Sequence, residues 1–207
     1  MKKVLIIVDV QNDFLERGSL AVAGGSSIIN NINKLSESGI FDVVIATQDY
    51  HPENHCSFAS SYPNTKPFDI VNDDMVWPDH CIAGTKGSEL SPLLTQAYIN
   101  TIFRKGMNKN VDSYSAFSEN DKVTETGLHT YLQYFETFEE IELFIVGIAT
   151  DVCVFNTALD SIQEYFFKTT VIEDACVGVT PESTEAKIKE MKAAGIEFIN
   201  TKDILGR

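Results

Sequence analysis

The chain has 207 residues, of which 43% are hydrophobic and 22% are charged, a composition that excludes a disordered or fibrous chain. One hydrophobic core can serve this length, so we expect a single domain over residues 1–207. The 16 Lys and Arg against 30 Asp and Glu give a formal net charge of −14, which argues against binding to nucleic acid or to an anionic membrane. No apolar run approaches the roughly 20 residues that span a bilayer. The run after Met1 ends at Asp9 without a cleavage site, so we expect a cytoplasmic protein.

Apolar strands alternate with helical patterns along the chain. Strands are predicted at residues 3–8, 42–47, 101–104, 141–146, 168–173 and 196–199. Helices are predicted at residues 26–37, 124–135, 151–166 and 181–194. Because buried strands separated by helices form βαβ units, the pattern indicates a doubly wound α/β domain with a mostly parallel sheet and helices on both faces. Ligands of such folds bind beyond the carboxyl ends of the strands.

One long segment, at about residues 48–90, interrupts this alternation. It shows little periodicity and is rich in proline. Long irregular segments in compact domains are usually either functional or disordered. Its aromatic residues favour an ordered loop, and they are Tyr50, Phe58, Tyr62, Phe68 and Trp77.

Cys153 lies at the predicted junction of a strand and a helix, in the sequence GIATDVCV at residues 147–154. Backbone amides and the helix dipole at such a junction lower the pKa of a thiol, and the same amides can stabilise an oxyanion. The alternative is a small buried residue at the start of the helix, which is the commoner situation for a single cysteine. We expect all four cysteines of the chain to be reduced thiols.

Asp9 ends the first predicted strand, where a buried carboxylate needs a partner or its pKa rises. A carboxylate of raised pKa beside a thiol can accept its proton and later return it to a leaving group. Lys105 follows the third strand and could pair with Asp9 across the adjacent strand ends. Taken alone, Asp9 is equally a turn residue, and Lys105 is more often a solvent-exposed lysine.

Asp49, His51 and His80 are candidate metal ligands. Residues two apart on an extended segment point the same way, so Asp49 and His51 can share one ion. His80, at the far end of the loop, would complete a three-ligand site suited to Zn²⁺, Fe²⁺ or Mn²⁺. The alternative is that both histidines are ordinary loop residues. His55 is a further candidate without a geometric argument, and His129 lies in a predicted helix and is interpreted as structural.

Five motifs occur in one order along the chain. They are DVQNDF at residues 9–14, DYH at 49–51, WPDHC at 77–81, KG at 105–106 and GIATDVCV at 147–154. In this combination the chain resembles the nicotinamidases of the isochorismatase-like cysteine hydrolase superfamily, from Val4 to about Ala194. The stretch between His51 and His80 is longer than in the shortest members.

The resemblance implies a six-stranded parallel sheet, a catalytic triad, a metal site, an oxyanion hole and a pocket for an aromatic ring. The triad would be Asp9, Lys105 and Cys153. The metal ligands would be Asp49, His51 and His80. The oxyanion hole would be formed by the amides of Ala149 and Cys153, beside a cis peptide between Ile148 and Ala149. The ring pocket would be lined by Phe14, Trp77 and Tyr114.

The implied activity is hydrolysis of a linear amide. Members of this group convert nicotinamide to nicotinate and ammonia through a thioester and commonly act on pyrazinamide, and the implied role is NAD salvage. The resemblance implies one divalent cation, with Zn²⁺ preferred over Fe²⁺ or Mn²⁺, no organic cofactor, and self-association into a homo-oligomer.

Three alternatives remain beside this interpretation. Within the superfamily, the chain could be a vinyl ether hydrolase or an amidase for carbamoyl or ureido substrates, although neither usually carries the Asp-x-His and His set. A non-catalytic zinc or small-molecule binding module would leave the pattern at Asp9, Lys105 and Cys153 unexplained. A dinucleotide-binding dehydrogenase is disfavoured because no Gly-x-Gly-x-x-Gly follows a strand.

Overall fold

The computed structural model describes residues 1–136 and 140–206. The strands are β1 (Lys2–Val8), β2 (Val43–Asp49), β3 (Ile70–Val71), β4 (Asp74–Met75), β5 (Thr101–Lys105), β6 (Ile141–Ile148), β7 (Lys168–Val177) and β8 (Glu197–Ile199). The α-helices are α1 (Ile29–Glu37), α2 (Leu128–Glu136), α3 (Cys153–Gln163), α4 (Pro181–Ala193) and α5 (Thr201–Leu205). In the described ranges, no helix combines the length and the apolar character needed to cross a membrane.

Six strands form one parallel sheet in the order β5-β2-β1-β6-β7-β8. The prediction of a doubly wound α/β domain with a six-stranded parallel sheet is confirmed. The antiparallel hairpin of β3 and β4, and the short helix α5, were not predicted. Strands of two residues and a helix of five residues are too short to produce a detectable hydrophobic period.

The sheet is covered on both faces because long stretches of its central strands are apolar, such as residues 4–8 of β1 and 143–146 of β6. Alternate residues of β1 point to opposite faces, so Leu5 packs into one core with residues of α1 and α5. Its neighbour Ile6 packs into the other core with residues of α2, α3 and α4. The helices on the two faces bury the apolar surface that holds the sheet rigid.

Helix α1 begins later than its sequence pattern predicts. A 3₁₀ turn at Gly25–Ile28 precedes it, and Ser26 contacts the Glu16 carboxylate instead of capping the helix. Helix α4 begins as predicted, with Pro181 in its first turn and the Thr180 side chain accepting a hydrogen bond from the Ser183 amide.

The strand order reverses between β1 and β6. From β1 the chain adds β2 and β5 on one side, and from β6 it adds β7 and β8 on the other. Such a switch point opens a crevice at the carboxyl ends of the strands. Asp9 directly follows β1, and Cys153 follows β6 as the first residue of α3. Asp49 and Lys105 are the paired last residues of β2 and β5, because these strands run further than predicted.

Candidate active site

Asp9 is fully buried at the end of β1 and is held by two neighbours. Its Oδ1 accepts a hydrogen bond from Thr47 Oγ1 at 2.6 Å, and its Oδ2 lies 3.0 Å from Lys105 Nζ. Its backbone is left-handed, with φ +50°, a conformation that Asp tolerates better than most residues. The predicted pairing of Asp9 with Lys105 is therefore present.

Lys105 joins more groups than the sequence indicated. Its buried ammonium group also contacts Asp49 Oδ1 and donates to Ser113 O at 3.0 Å. Cys153 Sγ lies 3.5 Å from the same nitrogen. One carboxylate oxygen each of Asp9 and Asp49 and the sulfur of Cys153 lie within 4.8 Å of one another. A single cation thus lies beside two carboxylates and a thiol.

The protonation states in this cluster follow from burial and from the positive charge of Lys105. Burial raises the pKa of the Asp9 carboxyl, and the charge of Lys105 offsets only part of the effect. Burial alone would lower the pKa of Lys105, but the charges of Asp49 and Asp9 raise it well above its usual range. Lys105 is therefore charged at neutral pH.

The prediction that the helix N-terminus lowers the pKa of Cys153 is wrong for this arrangement. Burial raises the pKa of the thiol well above its usual range, and the opposing charge of Lys105 does not compensate. The two nearby carboxylates raise it further. The resting side chain of Cys153 is therefore a neutral thiol, which would need a base beside it to act as a nucleophile.

The turn that leads from β6 into α3 is shaped by its own backbone. The Ile148–Ala149 peptide is cis, as the resemblance implied. Ala149 O accepts hydrogen bonds from the amides of Val152 at 3.0 Å and Val154 at 3.1 Å. Ala149 and Cys153 line the same cavity, so the residues expected to form the oxyanion hole lie together.

Asp49, His51 and His80 converge beside this cluster. Their ligand atoms lie within 4.8 Å of one another, with Asp49 Oδ2 3.7 Å from His51 Nε2 and 4.0 Å from His80 Nε2. The other ring nitrogens form hydrogen bonds with backbone carbonyls. His51 Nδ1 lies 2.9 Å from Gly106 O, and His80 Nδ1 lies 2.7 Å from Pro78 O. Because a carbonyl only accepts, each Nδ1 donates, and in the neutral form of each ring Nε2 has a lone pair for an ion.

The protonation of Asp49 and His80 suits metal binding, whereas His51 would have to release a proton to bind a cation. Burial alone would lower the pKa of His51, but the charge of Asp49 raises it. Burial, together with the charge of His51, lowers the pKa of His80 to about 4, so its imidazole is neutral at neutral pH. Burial alone would raise the pKa of Asp49, but the charges of Lys105 and His51 hold it below its usual range. An ionised carboxylate and a neutral imidazole are the forms that bind a divalent cation.

Gly106 allows the close packing behind His51. Its φ is +66°, and a Cβ there would lie 2.3 Å from His51 Cε1. Only glycine fits both the left-handed backbone and the space beside the ring. The glycine of the KG motif therefore positions the ring of His51, a candidate metal ligand.

His55 is placed next to the metal site without a free ring nitrogen. Its Nε2 lies 3.0 Å from both Asn108 O and Val111 O, and its Nδ1 lies 2.7 Å from Ser57 Oγ. Since carbonyls accept, Nε2 carries the proton and Nδ1 accepts from the Ser57 hydroxyl.

A second group of potential ligands overlaps the first. Ligand atoms of His51, His55 and Asp112 also lie within 4.8 Å of one another. The engaged ring of His55 makes this group the weaker of the two, so the donor set of Asp49, His51 and His80 fits a cation better.

An aromatic cavity is shared by two of the candidate metal ligands and the thiol. Asp49, His80, Ala149 and Cys153 all line it. The three predicted pocket aromatics line it as well, and they are Phe14, Trp77 and Tyr114. Trp77 Nε1 donates to Tyr114 Oη at 3.3 Å, and the Phe14 ring centroid lies 5.6 Å from that of His80.

Comparison with known proteins agrees with this geometry. The isochorismatase domain profile matches residues 3–203. The chain belongs to the isochorismatase family. A nicotinamidase of Acinetobacter baylyi is 43% identical to it over 208 residues, which cover 97% of this chain and 94% of the relative.

Solved structures of the isochorismatase family support the same relationship. An Acinetobacter baumanii nicotinamidase and pyrazinamidase superposes with a TM-score of 0.90 at 43% identity, covering 98% of each chain. A yeast nicotinamidase bound to the inhibitor nicotinaldehyde gives 0.87 at 30% identity, covering 96% of this chain and 99% of that one. A pyrazinamidase of Pyrococcus horikoshii in complex with zinc gives 0.77 at 31% identity, covering 97% and 99%.

Sequence reasoning missed two polar residues that support this isochorismatase-family site. Gln11 Nε2 donates to Asp49 O and Ser88 O, both at 2.8 Å, and Gln11 Oε1 accepts from the Asp49 amide at 2.8 Å. Asp151 Oδ1 accepts from the Val179 amide at 2.9 Å, which connects the turn before α3 with the start of α4. Both residues lie inside the motifs quoted from the sequence. That position was the signal that could have identified them as part of the site.

The remaining histidine, His129, lies apart from this chemistry. His129 packs against Tyr165 with ring centroids 4.3 Å apart, which agrees with its structural interpretation. All four cysteines are unpaired, as predicted.

Proposed function

We propose that the protein is a metal-dependent cysteine amidohydrolase that converts nicotinamide to nicotinate and ammonia, and that it also hydrolyses pyrazinamide. One observation carries the proposal: a buried thiol, with Asp9 and Lys105 beside it, lines the same aromatic cavity as two candidate metal ligands. The nicotinamidases and pyrazinamidases among its relatives support the choice of substrate.

The cavity residues bind and orient the substrate. Phe14, Trp77 and Tyr114 provide apolar and aromatic surface for a flat ring, and a ring bound there would bring its carboxamide next to Cys153, which is a proximity effect. Asp49, His51 and His80 would hold the cation. When bound there, Zn²⁺, or alternatively Fe²⁺ or Mn²⁺, supplies a Lewis acid that attracts the ring nitrogen.

Acylation uses the thiol, its base and the backbone amides. The Asp9 carboxylate takes the proton of Cys153, and the thiolate attacks the carboxamide carbon. The amides of Ala149 and Cys153 stabilise the oxyanion, and the positive charge of Lys105 stabilises the thiolate. Asp9 then gives its proton to the departing amino group, which releases ammonia and leaves a thioester on Cys153.

Deacylation uses the same base a second time. Asp9 removes a proton from water, and the resulting hydroxide attacks the thioester carbon. The bond to sulfur breaks, nicotinic acid forms and loses its proton to solvent as nicotinate, and the proton held by Asp9 returns to Cys153. No organic cofactor takes part in either half. The proposal extends to a cytoplasmic, self-associating enzyme of NAD salvage, formed by one domain over residues 1–207, in line with the family resemblance.

Ammonia release from nicotinamide tests the function directly. Purified protein is assayed as prepared, after removal of divalent cations with a chelator, and after return of Zn²⁺, Fe²⁺ or Mn²⁺. We expect activity that disappears on chelation and returns with metal, and no activity in Cys153→Ala. Cys176→Ala is the matched control, because that thiol is also unpaired and lies outside the cavity. Full metal content without turnover of any pyridine carboxamide would instead support a binding module.

A further inference from the structure

Phe68 lines the cavity, yet the proposed chemistry assigns it no role. It belongs to the long loop, and 54% of its surface is exposed to solvent. Its ring meets Trp77 edge to face, with centroids 6.0 Å apart and planes at 84°. A large apolar side chain held half in solvent and half against a ligand cavity is suited to contact a ligand.

The backbone holds Phe68 in a conformation that bulky residues rarely adopt. Its φ is +74°, in the left-handed region that is an outlier for a large side chain. Such strain persists only where surrounding contacts enforce it, and it clusters at functional sites. The left-handed backbone of this half-exposed phenylalanine therefore indicates a functional role for Phe68.

The contacts that enforce this conformation come from the base of the β3–β4 hairpin. The Phe68 amide donates to Val76 O at 2.6 Å, and the Val76 amide donates to Asp69 O at 2.9 Å. Asp69 also closes a turn, with its amide donating to Lys66 O at 3.1 Å and its Oδ2 accepting from the Lys66 amide at 2.8 Å. The hairpin therefore fixes where the Phe68 ring lies relative to Trp77.

The apolar lining of the cavity indicates a function for the Phe68 ring. The metal ligands and the thiol would fix the ring nitrogen and the carboxamide of a bound pyridine at two points. Phe68, Leu20 and Val179 give the cavity wall an apolar part that carries neither metal ligands nor catalytic groups. A pyridine held at those two points would turn its ring carbons toward apolar lining of this kind, which would limit the substituents that those carbons can carry.

We propose that Phe68 is a specificity-determining residue, whose ring sets the upper size limit of the aromatic amides that reach Cys153. The inference rests on the proposed function and adds its substrate class: amides of a single six-membered aromatic ring without substituents toward Phe68. Pyrazinamide is as small as nicotinamide, so this wall does not separate the two substrates.

Phe68→Ala tests the inference with a matched set of amides. Metal-loaded wild type and variant are compared on nicotinamide, on pyrazinamide, and on nicotinamides methylated at each free ring carbon. For at least one methylated isomer, we expect kcat/KM relative to nicotinamide to rise about tenfold, the scale of one methylene in an apolar pocket. For nicotinamide itself, we expect KM to rise while kcat changes little. The ratio of pyrazinamide to nicotinamide should stay constant.

Two further variants separate the ring from the backbone and from a general effect. Phe68→Gly also removes the ring but suits a left-handed backbone, so it should give the same gain for the same isomer. Phe166→Ala removes a phenylalanine that is 85% exposed and also left-handed, with φ +58°, outside the cavity. We expect it to leave every ratio unchanged.

Unchanged ratios in both Phe68 variants, or the same gain in Phe166→Ala, would overturn the inference. This failure is distinguishable from failure of the proposed function. If wild-type protein releases no ammonia from nicotinamide, the function itself is wrong and the inference falls with it. If wild type is active but the ratios do not move, only the role of Phe68 is wrong.

Discussion

The ammonium group of Lys105 contacts the carboxylate of Asp49, although the sequence had assigned these two residues to different parts of the site. Lys105 was expected beside Asp9 in the triad, and Asp49 was expected among the metal ligands. The register between β2 and β5 pairs them directly. The proposed triad and the proposed metal site therefore share one electrostatic network, and we expect a change in either part to affect the other.

Replacing Lys105 with Met should separate the two parts. Without the ammonium group, the Cys153 thiolate loses its stabilising charge, and we expect ammonia release to fall about a thousandfold or more. Divalent cation binding should be at least as tight as in wild type, because Asp49 no longer shares its carboxylate with a positive charge. Isothermal titration with Zn²⁺ and a steady-state assay measure the two effects.

Lys122→Met is the control for that variant. Lys122 pairs with Asp160 at 2.8 Å, and its side chain is 53% exposed. We expect unchanged activity and unchanged metal binding in this control. Loss of cation binding in Lys105→Met would contradict the prediction and would mean that Lys105 holds Asp49 in place for the metal.

Replacing Gly106 with Ala should weaken metal binding. The new methyl group would lie 2.3 Å from the His51 ring, so the ring must turn away from Asp49. We expect an affinity for the cation about 10- to 100-fold lower, the usual cost of disturbing the support of a ligand. Gly39→Ala adds the same left-handed strain, with φ +70°, where no atom lies within 4 Å. An equal loss of affinity in both variants would show that backbone strain, and not contact with His51, is responsible.

The pH profile of kcat/KM should report the buried carboxyl of Asp9. Its ionised form is the active one, and burial raises its pKa. Activity should therefore rise with pH through a pKa above the ordinary value of an aspartate. The hydrogen bond from Thr47 lowers this pKa, so Thr47→Val should move the acid limb to higher pH. An acid limb at the same position in both proteins would show that another group controls it.

Replacing His55 with Leu should leave the metal site filled. Both ring nitrogens of His55 are engaged by protein atoms, including Asn108 O and Val111 O. We expect one equivalent of cation per chain, as in wild type, and a free energy of unfolding lower by about 1–3 kcal/mol, because buried carbonyls lose their donor. His80→Ala should lose the cation. Metal analysis and chemical denaturation measure these effects, and loss of the cation from His55→Leu would make it a ligand.

The sheet was predictable because its signal is local. Residues 4–8 of β1 and 143–146 of β6 are continuous apolar runs, the pattern typical of strands buried on both faces. The bounds were less accurate at the carboxyl ends, where Asp49 and Lys105 lie inside their strands. A polar residue ends an apolar run in the sequence, but backbone pairing continues past it. The β3–β4 hairpin had no such signal, because its residues are mostly exposed and its strands have two residues each.

By itself, the sequence determined which residues reach the crevice, since the strand ends of a parallel sheet gather there whatever their side chains. It also determined the family, through motifs whose order and spacing persist along the chain. Only the tertiary structure decided how these residues interact. The contact of Lys105 with Asp49, the raised pKa of Cys153, the engaged nitrogens of His55 and the place of Phe68 all depend on distances between segments far apart in the chain. Burial and Coulomb energies depend on those distances. The order of residues along the chain does not specify the distances directly.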